Sequence, residues 1–378
     1  MSTTSNEWSV PETELFARIR DTLEAGEDAV LATVVDIEGS AYRRPGAKML
    51  LDPEGGGAGS ITAGCLEDEV RTLAADVLAA GEPRIETWDL TGDDDVWGMG
   101  VGCNGVITVL LEPLGESFRP VVAARESGEN VGVVTVLDGD LPLGTRGVYR
   151  SDSGFTGESL PESLRAALDG TVEQFLAEGT SDTLRIEYAD GAVEVFVDAV
   201  RAPPELVVFG SGHDVRPVVE LAKRVDFRVT VVAFRGGQAD DDRFERADSV
   251  VSASPRDVEN LREWDDDSYA VVMTHNFVDD RLTLAELLDT PIPYIGLMGP
   301  DERFEEILEA CDEEGTTVSE ADRKRIFTPI GLNLGGDTPY QIAFSIVSEL
   351  LAVSNDRTPQ HLNRQSGPIH DRPETPTE

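Results

Sequence analysis

From residue 206 onward, short β-branched runs alternate with helical stretches, and this alternation constrains the fold more than any other feature of the chain. Residues 206–209 read as a strand, a helix follows to Val225, and 228–232 read as the next strand. Residues 270–273 and 294–297 continue the series, with helical sequence between them. Parallel strands need a crossover connection and a helix supplies it, so this half is expected to form a doubly wound, mostly parallel sheet. The last helix is signed at its start: Thr338 as N-cap, Pro339 at N1 and Gln341 at N3. Ile342, Ile346, Val347 and Leu350 then recur as its expected inner face.

Ala202-Pro203-Pro204 marks a boundary. Ahead of it, residues 1–200 read as an N-terminal α+β domain, with an α+β extension from about 114. A helix is expected from Ser9, with Glu12 as its capping-box partner and Leu15, Ile19 and Leu23 inside. Strands follow at 29–37 and 48–51, separated by a loop at 39–46. A helix from Leu66 carries Val70, Leu73, Val77 and Leu78 on one face, and 106–111 forms another strand. In the extension, strands at 133–137 and 193–197 flank a helix between Leu160 and Leu176. The fold class is therefore α/β: a C-terminal Rossmann-like parallel sheet over 204–353 beside the N-terminal α+β domain. The polar, Pro-bearing stretch 354–378 is expected to be a disordered tail.

Asp and Glu number 73 against 31 Lys and Arg, a formal net charge of -42. Lysine occurs only at Lys48, Lys223 and Lys324. The acidity runs through every segment, which reads as a halophilic, salt-adapted surface; a surface tuned to a basic partner would show a compact acidic block. At about 1 M salt the Debye length is about 3 Å, against about 30 Å at 0.01 M, so loss of the fold is expected in low salt. Neutralising nucleic-acid phosphates needs a basic face, so nucleic acid is not an expected partner. No run approaches a membrane span, and residues 1–10 carry no apolar leader core. Cys65, Cys103 and Cys311 form no CxxC pair, which fits a reduced, cytoplasmic setting.

The strongest local motif is Gly210-Ser211-Gly212-His213-Asp214, after a strand and before a helix. Glycines allow a tight turn and a close backbone approach, and a helix N-terminus offers N–H groups and positive dipole to a phosphate. The plainer reading is a strand-to-helix turn, and Val215 stands where a dinucleotide fingerprint would have its third glycine. The next strand ends in Ala233-Phe234-Arg235, without the carboxylate that holds the ribose of NAD, while Arg235 suits an extra phosphate. Thr274-His275-Asn276 follows one later strand, Gly296 and Gly299 flank the end of another, and residues 331–336 precede the final helix, all at the same expected edge. His213 and His275 are either hydrogen-bonded structural residues or direct ligand contacts.

The N-terminal domain has its own cluster. Arg43-Arg44-Pro45-Gly46, with Lys48 nearby, is a cationic spot in an acidic chain, either an anion site or a structural ion pair. Cys65 stands where a helix begins, followed by Glu67, Asp68 and Glu69, and Cys103 lies in the glycine-bearing stretch 100–105. Inert packing and a functional role both remain open for the two thiols. No residue is singled out as a metal ligand.

With these motifs in order, residues 12–352 resemble the xanthine dehydrogenase accessory factor family, XdhC/CoxI. The resemblance rests on Gly39-Ser40-Ala41-Tyr42-Arg43-Arg44-Pro45-Gly46-Ala47, Gly64-Cys65-Leu66-Glu67 and residues 100–105 in the first domain. In the second it rests on Phe209-Gly210-Ser211-Gly212-His213-Asp214, Thr274-His275-Asn276, Tyr294-Ile295-Gly296-Leu297 and Pro329-Ile330-Gly331-Leu332. The family often has Asp-Pro-Arg where Ala233-Phe234-Arg235 stands here, and two glycines where Ala63-Gly64 stands.

The resemblance implies a maturation factor for molybdenum hydroxylases of the xanthine or carbon monoxide dehydrogenase type. Such a protein binds the molybdenum cofactor (molybdopterin), supports its sulfuration by a cysteine desulfurase-type sulfur donor, and delivers it to the apoenzyme. It implies a cofactor-binding chaperone rather than a turnover enzyme. Gly210, Gly212, His213, Asp214, Arg235, Thr274, His275, Arg43 and Arg44 would then bind the cofactor, with Cys65 or Cys103 at its metal or sulfur end; a homodimer would suit such a fold. The competing readings are an NAD(P)-dependent oxidoreductase, from the Rossmann unit alone, and a non-enzymatic ligand-sensing scaffold.

Overall fold

In the computed structural model, residues 8–91, 104–157, 159–189, 191–235 and 241–364 are described. The chain divides into two compact units, Met1–Ala202 and Pro203–Glu378.

Unit 1 opens with α1 (Glu12–Ala25), which turns Leu15, Phe16, Ile19 and Leu23 inward. Its N-cap is Pro11, with no side-chain cap, so the expected Ser9 capping box does not form. Proline holds an extended ψ there and lacks an N–H, and the helix starts immediately behind it. An antiparallel sheet follows, built from β1 (Val30–Ser40), β2 (Lys48–Leu51), β3 (Gly57–Gly59), β4 (Arg84–Asp89) and β5 (Asn104–Pro113) in the order β3-β2-β1-β5-β4. Helix α2 (Glu67–Ala80) buries Val70, Ala74 and Val77, with Leu73 and Leu78 at the margin of the same cluster.

The extension from about 114 is a second complete sheet. After α3 (Arg119–Ser127) come β6 (Val131–Gly139), β7 (Arg146–Arg150), β8 (Gly154–Thr156), α4 (Glu162–Glu178), β9 (Asp182–Tyr188) and β10 (Gly191–Val200). The strands are antiparallel in the order β8-β7-β6-β10-β9. Strand β6 is apolar on both faces because both are covered: Val131 and Val133 pack with α1 and α3, Val134 and Val136 with α4. Two buried ion pairs tie the sheets together, Lys48 Nζ to Asp198 Oδ2 and Arg146 Nη2 to Glu112 Oε1, both at 2.5 Å.

Unit 2 is the expected doubly wound sheet, all parallel. It comprises β11 (Glu205–Phe209), α5 (Val215–Arg224), β12 (Arg228–Ala233), β13 (Ser249–Ser252), β14 (Ser268–Val272), α6 (Phe277–Leu288), β15 (Tyr294–Leu297), α7 (Asp301–Glu313), α8 (Glu320–Arg325), β16 (Ile326–Phe327) and α9 (Pro339–Ser354). The strand order is β13-β12-β11-β14-β15-β16. Leu206 and Val208 face α5 and α9, whereas Val207 and Phe209 face α6 and α7, so β11 is buried on both sides.

Helix α9 carries the expected capping box between Thr338 and Gln341. Ile342, however, is exposed, and Ala343 takes its place on the inner face with Ile346, Val347 and Leu350. One residue is about 100° of helix rotation, enough to turn Ile342 outward. After α9 the described chain continues through a single turn, Leu362–Arg364; residues 365–378 of the expected tail lie outside the described residues. Among the described residues, no helix is long and apolar enough to cross a membrane.

Candidate functional site at the carboxyl edge of the parallel sheet

The chain runs from β11 outward through β12 to β13, then returns to place β14 on the other side of β11. The carboxyl ends of β11 and β14 thus flank a topological switch point, where open α/β sheets bind ligands. Gly210 leaves β11 at φ +146, its N–H bonded to Val232 O at 3.0 Å. A Cβ there would stand 2.4 Å from Met273 O, so the close approach that Gly210 permits is to the neighbouring strand. At Gly212 a Cβ would meet Asp214 Oδ1 at 2.3 Å. Val215, where a third glycine would have been, is the first residue of α5 and is fully buried.

Asp214 is the N-cap residue of α5, yet its carboxylate makes no bond to the helix N–H groups. Asp214 Oδ2 lies 2.7 Å from His275 Nε2 instead, joining the loops that follow β11 and β14. His275 adopts φ +57, a left-handed conformation that costs a residue with a Cβ about 1–2 kcal/mol. Its neighbours hold it there. The Thr274 hydroxyl donates to Asp280 Oδ1 at 2.5 Å, and the Asn276 side chain caps α6 by accepting from Val278 N and Asp279 N.

Three arginines join this edge. Arg235, at the tip of β12, lies 3.2 Å from Asp279 Oδ2 and is largely exposed. Arg243 Nη2 donates to Ser211 O at 2.7 Å, inside the glycine loop. Arg303 Nη2 bonds the buried Asp280 Oδ2 at 2.7 Å, with its guanidinium over the Phe277 ring. Gly299, at φ +145, leaves room for Arg303, since a Cβ would fall 2.8 Å from its Cδ. Sequence reasoning found Arg235 and missed Arg243 and Arg303; Gly299, just after β15, was the available hint to the last. His213 is exposed on the glycine loop.

The stretch after β16 is anchored beneath. Ile330 N donates to Leu297 O, and Gly331 N donates to Glu349 Oε2 at 2.9 Å. The Tyr294 hydroxyl donates to the same oxygen at 2.8 Å, and burial, reinforced by the Glu349 charge, holds its proton well above the usual tyrosine range. Gly296 makes space for Ile330, whose Cδ1 would lie 2.3 Å from a Cβ.

In unit 1, Arg43 and Arg44 stand in the loop between β1 and β2. Arg44 is exposed and its carbonyl accepts from Ala47 N in a tight turn; Arg43 Nη1 reaches Ser60 Oγ at 3.5 Å. Lys48 is instead consumed by its buried pair with Asp198. Cys65 is partly buried in a loop organised by Glu67, whose carboxylate accepts from Thr62 N at 3.0 Å, Thr62 Oγ1 at 2.6 Å and Leu66 N at 3.1 Å. The Arg43 and Cys65 loops are therefore neighbours. Cys103 lies outside the described residues. Cys311 is buried on α7, and desolvation raises its thiol pKa, which suits packing.

A model of the XdhC and CoxI family matches residues 22–89, and the XdhC Rossmann domain matches residues 206–350. Over 337 residues the chain is 29% identical to a protein of Bacillus subtilis (strain 168) described as a probable xanthine dehydrogenase subunit, covering 87% of this chain and 94% of that one. A 127-residue stretch, 33% of this chain, is 32% identical to the molybdenum cofactor insertion chaperone PaoD of Escherichia coli (strain K12), covering 36% of that protein. The crystal structure of a xanthine dehydrogenase from Bacillus halodurans superposes with a TM-score of 0.73 at 28% identity, covering 92% of this chain and 97% of the other.

Proposed function

The chain belongs to the XdhC and CoxI family, and from that premise we propose that it is an accessory factor that binds the molybdenum cofactor and supports its sulfuration and insertion into a hydroxylase of the xanthine or carbon monoxide dehydrogenase type. The observation that carries this reading is the concentration of Arg235, Arg243, Arg303, His213 and His275 around one sheet edge, in a chain whose net charge is -42. The cargo is a pterin that ends in a phosphate. Cations and the N–H groups of α5, left uncapped by Asp214, suit that end of the molecule. Among the relatives, PaoD is a cofactor insertion chaperone, which supports the same role here.

In this reading Gly210 and Gly212 shape the loop and His275 holds Asp214 away from the helix N-terminus. Arg235, Arg243 and Arg303 neutralise the phosphate, with Thr274 and Asp280 positioning Arg303. In unit 1, Arg43 and Arg44 also contribute to cofactor binding, and Cys65 and Cys103 to sulfur exchange with a cysteine desulfurase-type donor. The protein acts as a chaperone without turnover chemistry of its own. The acidic surface belongs to a protein working in concentrated salt in the cytoplasm. An NAD(P)-dependent oxidoreductase is less well supported, because Ala233-Phe234-Arg235 offers no carboxylate to a ribose.

The test is purification from a molybdenum-replete host, followed by metal analysis and fluorescence of the oxidised pterin. About one pterin per chain is expected, falling at least tenfold in an Arg235→Ala, Arg243→Ala double variant that stays folded. A pterin-free protein from a host that makes the cofactor, or one whose deletion leaves hydroxylase activity intact, would falsify the role.

A further inference from the structure

The first turn of α6 carries two adjacent acids, Asp279 and Asp280, and the fold uses them differently. Asp280 is saturated and fixed. It is 1% exposed, and its Oδ1 accepts from the Thr274 hydroxyl at 2.5 Å while its Oδ2 accepts from Arg303 Nη2 at 2.7 Å. The Asp279 side chain is also mostly buried, at 15% exposure, yet its Oδ2 accepts no hydrogen bond among the described residues. Its ionic partner is Arg235, whose Nη2 lies 3.2 Å away and whose side chain is 59% exposed.

This pair crosses the mouth of the crevice. Arg235 follows β12 and Asp279 follows β14, the strands on either side of β11, so the contact spans the carboxyl end of β11. The backbone is held at both ends. Phe234 stacks on the fully buried Phe209, with ring centroids 6.0 Å apart, which fixes the chain beside Arg235. Asp279 N donates to the Asn276 side chain at 3.1 Å, which fixes the start of α6. The freedom left at the contact is that of the two side chains, and Arg235 can change acceptor by changing rotamer.

A contact built only to tie the strands would look like Arg303 on Asp280, short and directed. The Arg235 pair lacks the directed hydrogen bond that makes such contacts strong, and a phosphate offers a guanidinium two parallel N–H···O bonds. When Arg235 turns to a phosphate, Asp279 loses its counter-charge in a mostly buried position, and that cost is deducted from the binding of the anion. The positive end of the α6 dipole lessens the cost without cancelling it.

We propose that Asp279 is a built-in competitor for the anion: it holds Arg235 between rounds of binding, takes it back as the anion leaves, and so keeps the affinity low enough for a phosphate-bearing cargo to be handed on. The inference rests on the reading of this edge as the phosphate end of the cofactor site. Asp279 touches Arg235 rather than the cargo, so it is a positioning residue that acts through the arginine.

The experiment is a calorimetric double-mutant cycle on the full chain with inorganic phosphate as the probe. It is run at about 1 M salt, where the Debye length of about 3 Å screens the general charge of the chain. Asp279→Asn should bind phosphate about tenfold more tightly than the parent, whereas in an Arg235→Ala background the same substitution should change affinity by less than about twofold. Asp279→Ala should repeat the result, with the circular dichroism of each variant unchanged. A negative charge acting only through space would tighten binding equally in both backgrounds; that result, or no tightening at all, overturns the proposal. Absence of phosphate binding by both the parent and Asp279→Asn at about 10 mM overturns it as well. The second readout is the rate at which bound pterin leaves, expected to be about tenfold slower from Asp279→Asn than from the parent. Equal rates overturn the competitor role and leave the cofactor reading standing. A cycle that behaves as expected in a protein that never carries pterin supports the competitor role and removes the cofactor reading instead.

Discussion

Each unit holds a pair of cations, and the two pairs are used in opposite ways. In unit 1, Lys48 is buried against Asp198 and Arg146 against Glu112, each side chain 10% exposed or less. In unit 2, Arg235 and Arg243 stand at the sheet edge, Arg235 largely exposed beside Asp279 and Arg243 half-buried on Ser211 O. The difference separates two kinds of cation that look alike in sequence. A buried pair between two sheets is a structural tie, strained by any change to one partner. An edge cation has a loose partner that an anionic ligand can replace.

The largest expected effect is in unit 1. Lys48→Met leaves the buried Asp198 carboxylate uncompensated and should lower stability by about 3–5 kcal/mol in denaturant titration. Adding Asp198→Leu should restore most of that loss; a single variant as stable as the parent would break the comparison at its root. Next comes Gly210→Ala in unit 2, which forces a Cβ against Met273 O at a positive φ and should cost about 2–3 kcal/mol, read as early melting of the parallel sheet.

Tyr294→Phe should cost about 1–2 kcal/mol near neutrality by leaving Glu349 one donor short. Its sharper signature is alkaline. The unfolded hydroxyl titrates near pH 10, whereas the folded one keeps its proton well above that, so its contribution is fully present below about 10 and is lost as pH rises. The variant should lack that part of the alkaline decline. A remainder should persist from Tyr149 in unit 1, which burial and Glu173 push up to about 12.

The smallest stability effects belong to the edge itself. His275→Gly should gain up to about 1 kcal/mol by relieving the left-handed backbone, while releasing Asp214 and weakening pterin retention. Arg235→Ala should stay within about 0.5 kcal/mol of the parent, with pterin content reduced several-fold. An edge arginine that costs as much as Lys48 would show that unit 2, too, uses its cations as ties.

Local patterns reported local structure well. The Thr338–Gln341 capping box and the glycine turn at 210–214 are visible in sequence because caps and turns are set by residues within a few positions of each other. Where an interaction reached further, reading failed. The Ser9 box was displaced by Pro11, and β13 and the second antiparallel sheet were undercounted because short edge strands carry little periodicity. Glu67 read as a charge beside a thiol, but it is the internal cap that organises the Cys65 loop.

Sequence alone determined the main strand–helix alternation of the second half, its parallel character, and which loops would meet at its carboxyl edge, since chain connectivity dictates these once the alternation is known. Tertiary structure decided which charges became ties and which stayed available. Lys48 meets Asp198 across 150 positions and Arg146 meets Glu112 across 34, so their burial depends on how two sheets stack. The same holds for Arg243 and Arg303: their use is set by desolvation and by neighbours brought close in space, quantities that no local run of residues encodes.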